Sequence, residues 1–247
     1  MADLGWRRVA SAAIAQWAAV AAPIAARTVV ASQEAWRAGG TWFVGLDALP
    51  NRPDGRIADV EFPWQDVGLA PVPLHPAQLS VIRPGYPQPD PGESEKSFAF
   101  RRVRDAAHLD GLLPVGPDKR RMVKEPHAWI LGLPLNRADA TAAPLVVWEG
   151  SHKVMGAALR AAFAGATGPL EDIDVTEAYQ AARKQVFASC PRVELPGRPG
   201  EAVILHRHLI HGVAPWAEGA TSDAPGRMVA YFRPLCASVA DWMKNDD

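Results

Sequence analysis

Several things that would direct the reading of this chain are scarce in it. Its only cysteines are Cys190 and Cys236, far apart and without a C-x-x-C spacing, which argues against a disulfide framework or a structural zinc site. Charge of one sign is also missing. With 26 basic and 27 acidic residues interspersed, the net charge is −1, so there is no basic stripe for nucleic acid and no acidic tail for a basic partner. No membrane span is expected. The nearest approach, "WRRVASAAIAQWAAVAAPIAA" from Trp6, has the outline of a bacterial export signal, but Gln16 interrupts it and alanine is too weakly hydrophobic for a signal core or a span. Trp6, Val9, Ala13, Trp17, Val20 and Ile24 recur there at three- and four-residue steps, which predicts an amphipathic helix laid on a domain. The expected location is a reducing cytoplasm.

What the chain does have is apolar residue in quantity: 48% of 247 residues, enough to bury a substantial core. Residues 1 to 38 read as helix, and "AGGTWFVGLDALPN" as glycine, a short aromatic strand and a proline turn. After that, short apolar runs ("AQLSVI", "HAWILGLPL", "APLVVW", "EAVILH", "RMVAYFRP") alternate with loops rich in Pro, Gly and Asp, the pattern of an antiparallel β sandwich or barrel. "RPGYPQPDPGESEKS" is expected to be a long surface loop, and "DKRRMVK" a solvated one that borders the site. Between residues 153 and 190 the pattern turns helical again, with Asp174 three residues before Glu177 as a capping start for "AYQAARKQVF". The predicted fold is therefore mainly β with flanking helices.

Histidine is scarce too, at seven, yet "RDAAHLDGLLP" sets His108 and Asp110 one residue apart before a glycine. In an extended segment residues i and i+2 project to the same side, so one imidazole and one carboxylate can converge on a metal ion. Two histidines and one carboxylate on one face of an ion leave positions open, the arrangement of non-haem iron(II) oxygenases. "GEAVILHRHLIHGVAPW" offers His206, His208 and His211 as a second histidine.

The ordered set "HLD", "VVWEGSHK", "LIHGVAPW" and "GRMVAYFRP" resembles the phytanoyl-CoA dioxygenase-like family of iron(II)/2-oxoglutarate-dependent oxygenases, over roughly residues 75 to 235. The resemblance implies a double-stranded β-helix (jelly-roll, cupin-like) core in a single oxygenase domain spanning 1–247, with a helical insertion at 153–190. It implies Fe(II), 2-oxoglutarate and O2 as cofactor and co-substrates and a small-molecule substrate. Residue by residue, His108, Asp110 and His211 match the iron ligands, and Arg227 matches the base that holds the far carboxylate of 2-oxoglutarate. Arginine suits that task because its rigid fork binds a carboxylate through two parallel hydrogen bonds.

Two positions depart from the pattern. Val229 stands where a hydroxyl residue often follows the co-substrate arginine, and "AEGATSDAPG" stretches the last hairpin. Arg233, on the same strand face as Arg227, is a rival for the co-substrate role. His127, Trp129 and Gln78 are candidates to line the co-substrate pocket. His206 and His208 are expected to be strand or supporting residues, and His152 to stabilise its turn. Asp110 favours hydroxylation over halogenation, since halogenases of related fold use a small residue there and leave that ligand position to chloride. A serine hydrolase built on Ser151 and His152 fails because "EGSHK" lacks a G-x-S-x-G elbow. The rival from another class is a non-catalytic jelly roll binding a divalent metal or small ligand, for which Arg227 would be superfluous.

Overall fold

A computed structural model describes residue 1 and residues 3–244. In chain order the elements are β1 (Trp6–Ala10), α1 (Ala12–Ala31), β2 (Trp42–Leu49), α2 (Trp64–Val67), β3 (Ala77–Ile82), α3 (Glu95–Val103), β4 (Leu112–Val115), β5 (Arg120–Val123), β6 (Trp129–Pro134), β7 (Leu145–Trp148), α4 (Ser151–Phe163), α5 (Thr176–Ser189), β8 (Arg192–Leu195), β9 (Glu201–His206), β10 (His211–Val213), β11 (Arg227–Phe232) and α6 (Val239–Trp242). Six strands form one antiparallel sheet in the order β1-β9-β6-β11-β3-β2, three form a second in the order β10-β7-β8, and β4 and β5 make a separate hairpin. The layering is that of a jelly roll: α1 against the large sheet, the small sheet facing it, and α4 with α5 behind the small sheet.

Period-two alternation divides the large sheet cleanly. Leu79 and Val81 of β3, Leu131 and Leu133 of β6, Ala202 and Ile204 of β9, and Met228, Ala230 and Phe232 of β11 pack into one core with α1. Their neighbours Ile130, Val203 and Leu205 turn the other way and meet Leu145 and Val147 of β7 and Leu195 of β8 between the sheets. Val146 and Trp148 point out of the small sheet into a third cluster with Met155, Leu159, Tyr179 and Val186 of α4 and α5. The open space between the sheets is where the functional residues gather.

The N-terminal segment differs from the expectation of one helix over 1–38. Trp6 and Val9 lie in β1, which pairs with β9 from Trp6↔Leu205 to Ala10↔Glu201 and so covers an edge that would otherwise be unpaired. Helix α1 begins only after Ser11, whose side chain accepts the Ile14 N–H as an N-cap. Its buried stripe is Ile14, Trp17, Ala18, Ala21, Ala25 and Val29, rotated from the predicted one because the alanines, not the larger residues, let the helix approach the sheet closely. Trp17 is the large exception, seated edge-on to Phe62 and Phe232 and donating its indole N–H to the Gly55 carbonyl. By length and composition α1 alone among the described helices could cross a membrane; here its apolar stripe is spent on the sheet.

"DKRRMVK" also departs from a loop: its second half is β5, paired with β4 from Leu112↔Val123 to Val115↔Arg120. Four successive charged residues, Asp118 to Arg121, leave only Met122 and Val123 as an apolar signal for this strand. Helix α5 begins at Thr176 with Asp174 accepting the Thr176 N–H, close to the predicted cap.

Candidate metal centre

The short strand β10 starts at His211 and pairs with β7, His211 opposite Val147. On its other side the segment 105–108 runs antiparallel to it: His108 N–H donates to the His211 carbonyl and His211 N–H to the His108 carbonyl, at 2.9 and 3.1 Å. The two histidines are thus direct cross-strand partners, although 103 positions separate them in the chain. Two glycines make the approach fit. A Cβ on Gly212 would lie 2.2 Å from the Asp105 carbonyl oxygen, and one on Gly111, at φ +89°, 2.4 Å from that of Glu125. That is why a glycine follows both the H-x-D pair and the distal histidine. The segment is pinned further by Asp105, 2% exposed, whose carboxylate accepts two hydrogen bonds from the Arg192 fork of β8 at 2.7 and 2.8 Å.

Both imidazoles are oriented by the main chain. His108 Nδ1 lies 3.0 Å from the Ala106 carbonyl and His211 Nδ1 2.9 Å from the Leu209 carbonyl. A carbonyl can only accept, so each Nδ1 carries a proton and each Nε2 presents its lone pair in the neutral ring. Both Nε2 atoms face Asp110 Oδ1, at 3.1 Å from His108 and 3.9 Å from His211. One ligand atom from each of the three residues lies within 4.8 Å of the others, and no other His/Cys/Asp/Glu group among the described residues meets that description.

Electrostatics separate the three. Burial would raise the Asp110 pKa, but the His108 hydrogen bond and the charges of His211, His108 and Arg233 overcome it and hold the carboxyl well below its ordinary value. Desolvation opposes protonation of His108, yet the hydrogen bond and charge of Asp110 prevail and raise its pKa. His211 is pushed down to about 4, by burial first and then by the charge of His108. A fixed carboxylate beside two imidazoles whose outward nitrogens converge is a donor set suited to a first-row divalent metal.

The centre opens into a cleft of about 310 Å3 lined by Gln78, Ser80, Trp42, Ile130, Tyr231 and Arg233 among others. Arg233 Nη1 donates to Asp110 Oδ2 at 3.1 Å and Nη2 to Gln78 Oε1 at 2.5 Å. Gln78 therefore sits in the pocket as a holder of Arg233, and Arg233 is committed to Asp110. Arg227, the first residue of β11, lies three pleat repeats before Arg233 on the same face. It borders a smaller cavity, of about 30 Å3, that shares Leu145 and Tyr231 with the cleft. Its Nε and Nη2 are buried without a hydrogen-bond partner. Asn136 holds this end of β11, accepting the Met228 N–H and donating to the Gly226 carbonyl.

Other candidates fall elsewhere. Trp129 packs on the α1 side of the large sheet, because the pocket face of β6 belongs to Ile130; it does not line the cleft. His127 precedes β6 rather than sharing its face. Its Nδ1 meets the Arg233 carbonyl at 3.0 Å and its Nε2 the Glu125 carboxylate at 3.3 Å, so it braces the main chain behind Arg233. His206 ends β9 and accepts the His208 N–H; His208 is buried against Trp242 at 4.4 Å between ring centroids. His152 lies in the first turn of α4, after Gly150 in the left-handed conformation, its ring 4.8 Å from that of His206. None of these three lines the cleft. Tyr231 was not anticipated, though its even spacing from Arg227 on one strand was the signal for it.

No protein-family model matches the chain, and no curated protein matches it. Among solved structures it is similar to the non-haem α-ketoglutarate-dependent carbocyclase SnoK from nogalamycin biosynthesis, at 14% identity over 97% of this chain and 85% of that one, TM-score 0.48. It is similar also to the epimerase SnoN in complex with Fe3+, α-ketoglutarate and nogalamycin RO, at 13% identity over 96% and 80%, TM-score 0.49. A third is EctD from S. alaskensis with bound Fe, at 15% identity over 94% and 73%, TM-score 0.43. With identities this low and TM-scores below 0.5, the activities of those enzymes do not transfer to this chain.

Proposed function

We propose that this protein is an iron(II)/2-oxoglutarate-dependent oxygenase of the phytanoyl-CoA dioxygenase-like kind that hydroxylates a small molecule. One observation carries the reading: a three-donor His/Asp/His centre opens into a cleft that adjoins a cavity where two guanidinium nitrogens of Arg227, Nε and Nη2, are buried without a partner. A protein that only stored metal would have no use for that cation, whose desolvation is costly unless an anion joins it.

In this reading His108, Asp110 and His211 hold the iron. The proton of each histidine stays on Nδ1, locked to a main-chain carbonyl, so that neither ring can turn or present the wrong tautomer. Arg233 occupies Asp110 Oδ2 and leaves Oδ1 for the centre, keeping the carboxylate ionised and singly directed. Arg227 binds the distal carboxylate of 2-oxoglutarate, a bidentate match for its fork. Leu145 and Tyr231 wall the passage between the two and exclude water from it. Bound iron(II) and 2-oxoglutarate would supply the oxidising chemistry, turning O2 and 2-oxoglutarate into a hydroxyl on the substrate, succinate and carbon dioxide. The remaining volume of the cleft, bounded by Trp42, Val44, Leu46 and Leu113, is where the small molecule would sit, an apolar wall facing a polar centre.

The test is anaerobic titration of the purified protein with iron(II) and then 2-oxoglutarate. Binding of one iron per chain, lost in His108→Ala, Asp110→Ala and His211→Ala, and a weak visible charge-transfer band on adding 2-oxoglutarate are expected, followed by oxygen-dependent succinate in air. Iron-loaded protein with neither band nor succinate in excess 2-oxoglutarate would leave only a metal-binding jelly roll.

A further inference from the structure

The β4–β5 hairpin and helix α5 enclose an open cavity of about 680 Å3 apart from the metal cleft. Four of its eight lining residues are cations, Lys119, Arg120, Arg121 and Arg183, against one acid, Asp118. Only Arg120 has a carboxylate partner among the described residues, Asp174 at 3.4 Å. Lys119 is exposed at the hairpin turn, while Arg121 and Arg183 are held by groups that leave their charge uncompensated. Arg121 Nη1 donates to the Leu112 carbonyl at 3.1 Å, and its main-chain N–H to Thr176 Oγ1 at 2.7 Å.

Arg183 is the most constrained of them. Its Nη2 donates to the Ala107 carbonyl at 2.7 Å, and its guanidinium lies 4.6, 5.3 and 5.8 Å from the ring centres of Phe100, Phe187 and Tyr179. Its Nε is buried and unpartnered. Burial holds its pKa below the ordinary value, and Arg121 pushes the same way. Two guanidiniums, Arg121 and Arg183, brought together and fixed by neutral carbonyls and aromatic faces, repel one another at a cost that a bound anion removes. A solvated surface patch would instead leave long side chains free to spread.

We propose that this cavity binds a phosphorylated small molecule, with Lys119, Arg121 and Arg183 gripping the phosphoryl oxygens. Several cations converging on one cavity match the concentrated charge and several oxygens of a phosphoryl dianion better than a single carboxylate, through charge-assisted hydrogen bonds. The volume exceeds what inorganic phosphate fills and lies in the range, roughly 300 to 1,000 Å3, of pockets for organic ligands. Thr176, Gln180 and the Tyr179 ring are there to meet the remainder of such a molecule. The cavity shares a wall with the metal cleft, since Leu113 of the same hairpin lines that cleft and Arg183 holds the carbonyl next to His108. The proposal does not require a metal at the centre.

The experiment is calorimetric titration of the full metal-free chain with pyrophosphate, ADP and, as the carboxylate control, citrate, at constant ionic strength. Saturable binding of one pyrophosphate or ADP per chain is expected, with citrate at least about tenfold weaker. Arg121→Gln and Lys119→Met should each weaken it about tenfold, the loss of one charge-assisted contact. Both sit on the hairpin and leave the Arg183 anchorage in place, so folding is preserved; a thermal melt of each variant checks this. Arg227→Met should leave it unchanged. Absence of saturable binding at millimolar ligand, equal affinity for citrate, or loss in Arg227→Met but not in Arg121→Gln would each overturn the proposal.

Discussion

Replacing Arg227 with methionine should move stability and co-substrate affinity in opposite directions. The side chain keeps an unbranched apolar stem and loses its guanidinium and its charge. In the protein without ligands, Nε and Nη2 of Arg227 are buried and unpartnered; an unsatisfied buried donor costs about 1 to 3 kcal/mol. Arg227 as a whole is only partly buried, so we place the gain in stability of Arg227→Met at about 1 kcal/mol. Truncating one partner of a buried charge pair weakens binding by about 2 to 5 kcal/mol, and partial exposure puts this site at the lower end, about 2 kcal/mol or thirtyfold in Kd.

The two effects make a crossing. With 2-oxoglutarate at about 100 times the wild-type Kd, ligand stabilises the wild type by about 2.7 kcal/mol. A thirtyfold weaker variant gains only about 0.9 kcal/mol by the same relation. Urea unfolding of the metal-loaded, oxygen-free protein reads both: the variant is more stable by about 1 kcal/mol without 2-oxoglutarate and less stable by about 0.8 with it. An unchanged response to 2-oxoglutarate, or a variant destabilised without it, would refute the reasoning and make Arg227 a structural residue.

Two further outcomes follow from the packing around the centre. Gly212→Ala forces the main chain of 105–107 away from β10, since its Cβ meets the Asp105 carbonyl at 2.2 Å; a loss of about 3 kcal/mol in urea unfolding, together with weakened metal binding, is expected, and normal metal affinity would contradict it. His208 is held neutral, its pKa well below the ordinary value, by burial and then by His206, Arg207, Arg160 and His152. The unfolded chain takes up that proton below about pH 6.5 and the native state does not, so stability falls as pH falls through about 6.5, by up to about 1.4 kcal/mol per pH unit. His208→Phe should flatten that slope relative to the wild type; parallel slopes from pH 7 to 5 would show that His208 does not titrate this way.

Much of the architecture could be read from local pattern, because alternation along a strand needs no knowledge of its partner. "AQLSVI", "HAWILGLPL", "APLVVW", "EAVILH" and "RMVAYFRP" supply β3, β6, β7, β9 and β11. The same rule put Arg227 and Arg233 on one face, and the spacing of His108 and Asp110 put an imidazole and a carboxylate on one side of their segment. Where the local signal was weak or misleading, the expectation drifted. Trp6–Ala10 matches a helical stripe as well as a strand, and only the free edge of β9 decides between them. Arg120–Val123 carries too much charge to look like a strand until β4 lies beside it.

What the tertiary structure decided is how chemically equal residues come to meet or not. His206, His208 and His211 are the same side chain within six positions; the resemblance singles out His211, and the structure supplies the physical reason, since its main chain pairs with His108 and Gly212 lets the two segments close. Arg233 and Arg227 are equivalent by spacing, yet one is consumed by Asp110 and Gln78 while the other is left without a partner. Trp129 faces α1 because β6 enters the sheet in a register set by β9 and β11. The amino-acid order determines which face each residue occupies relative to its neighbours; register, burial and the neutralisation of charge depend on segments a hundred residues away, and these are settled only when the sheets close.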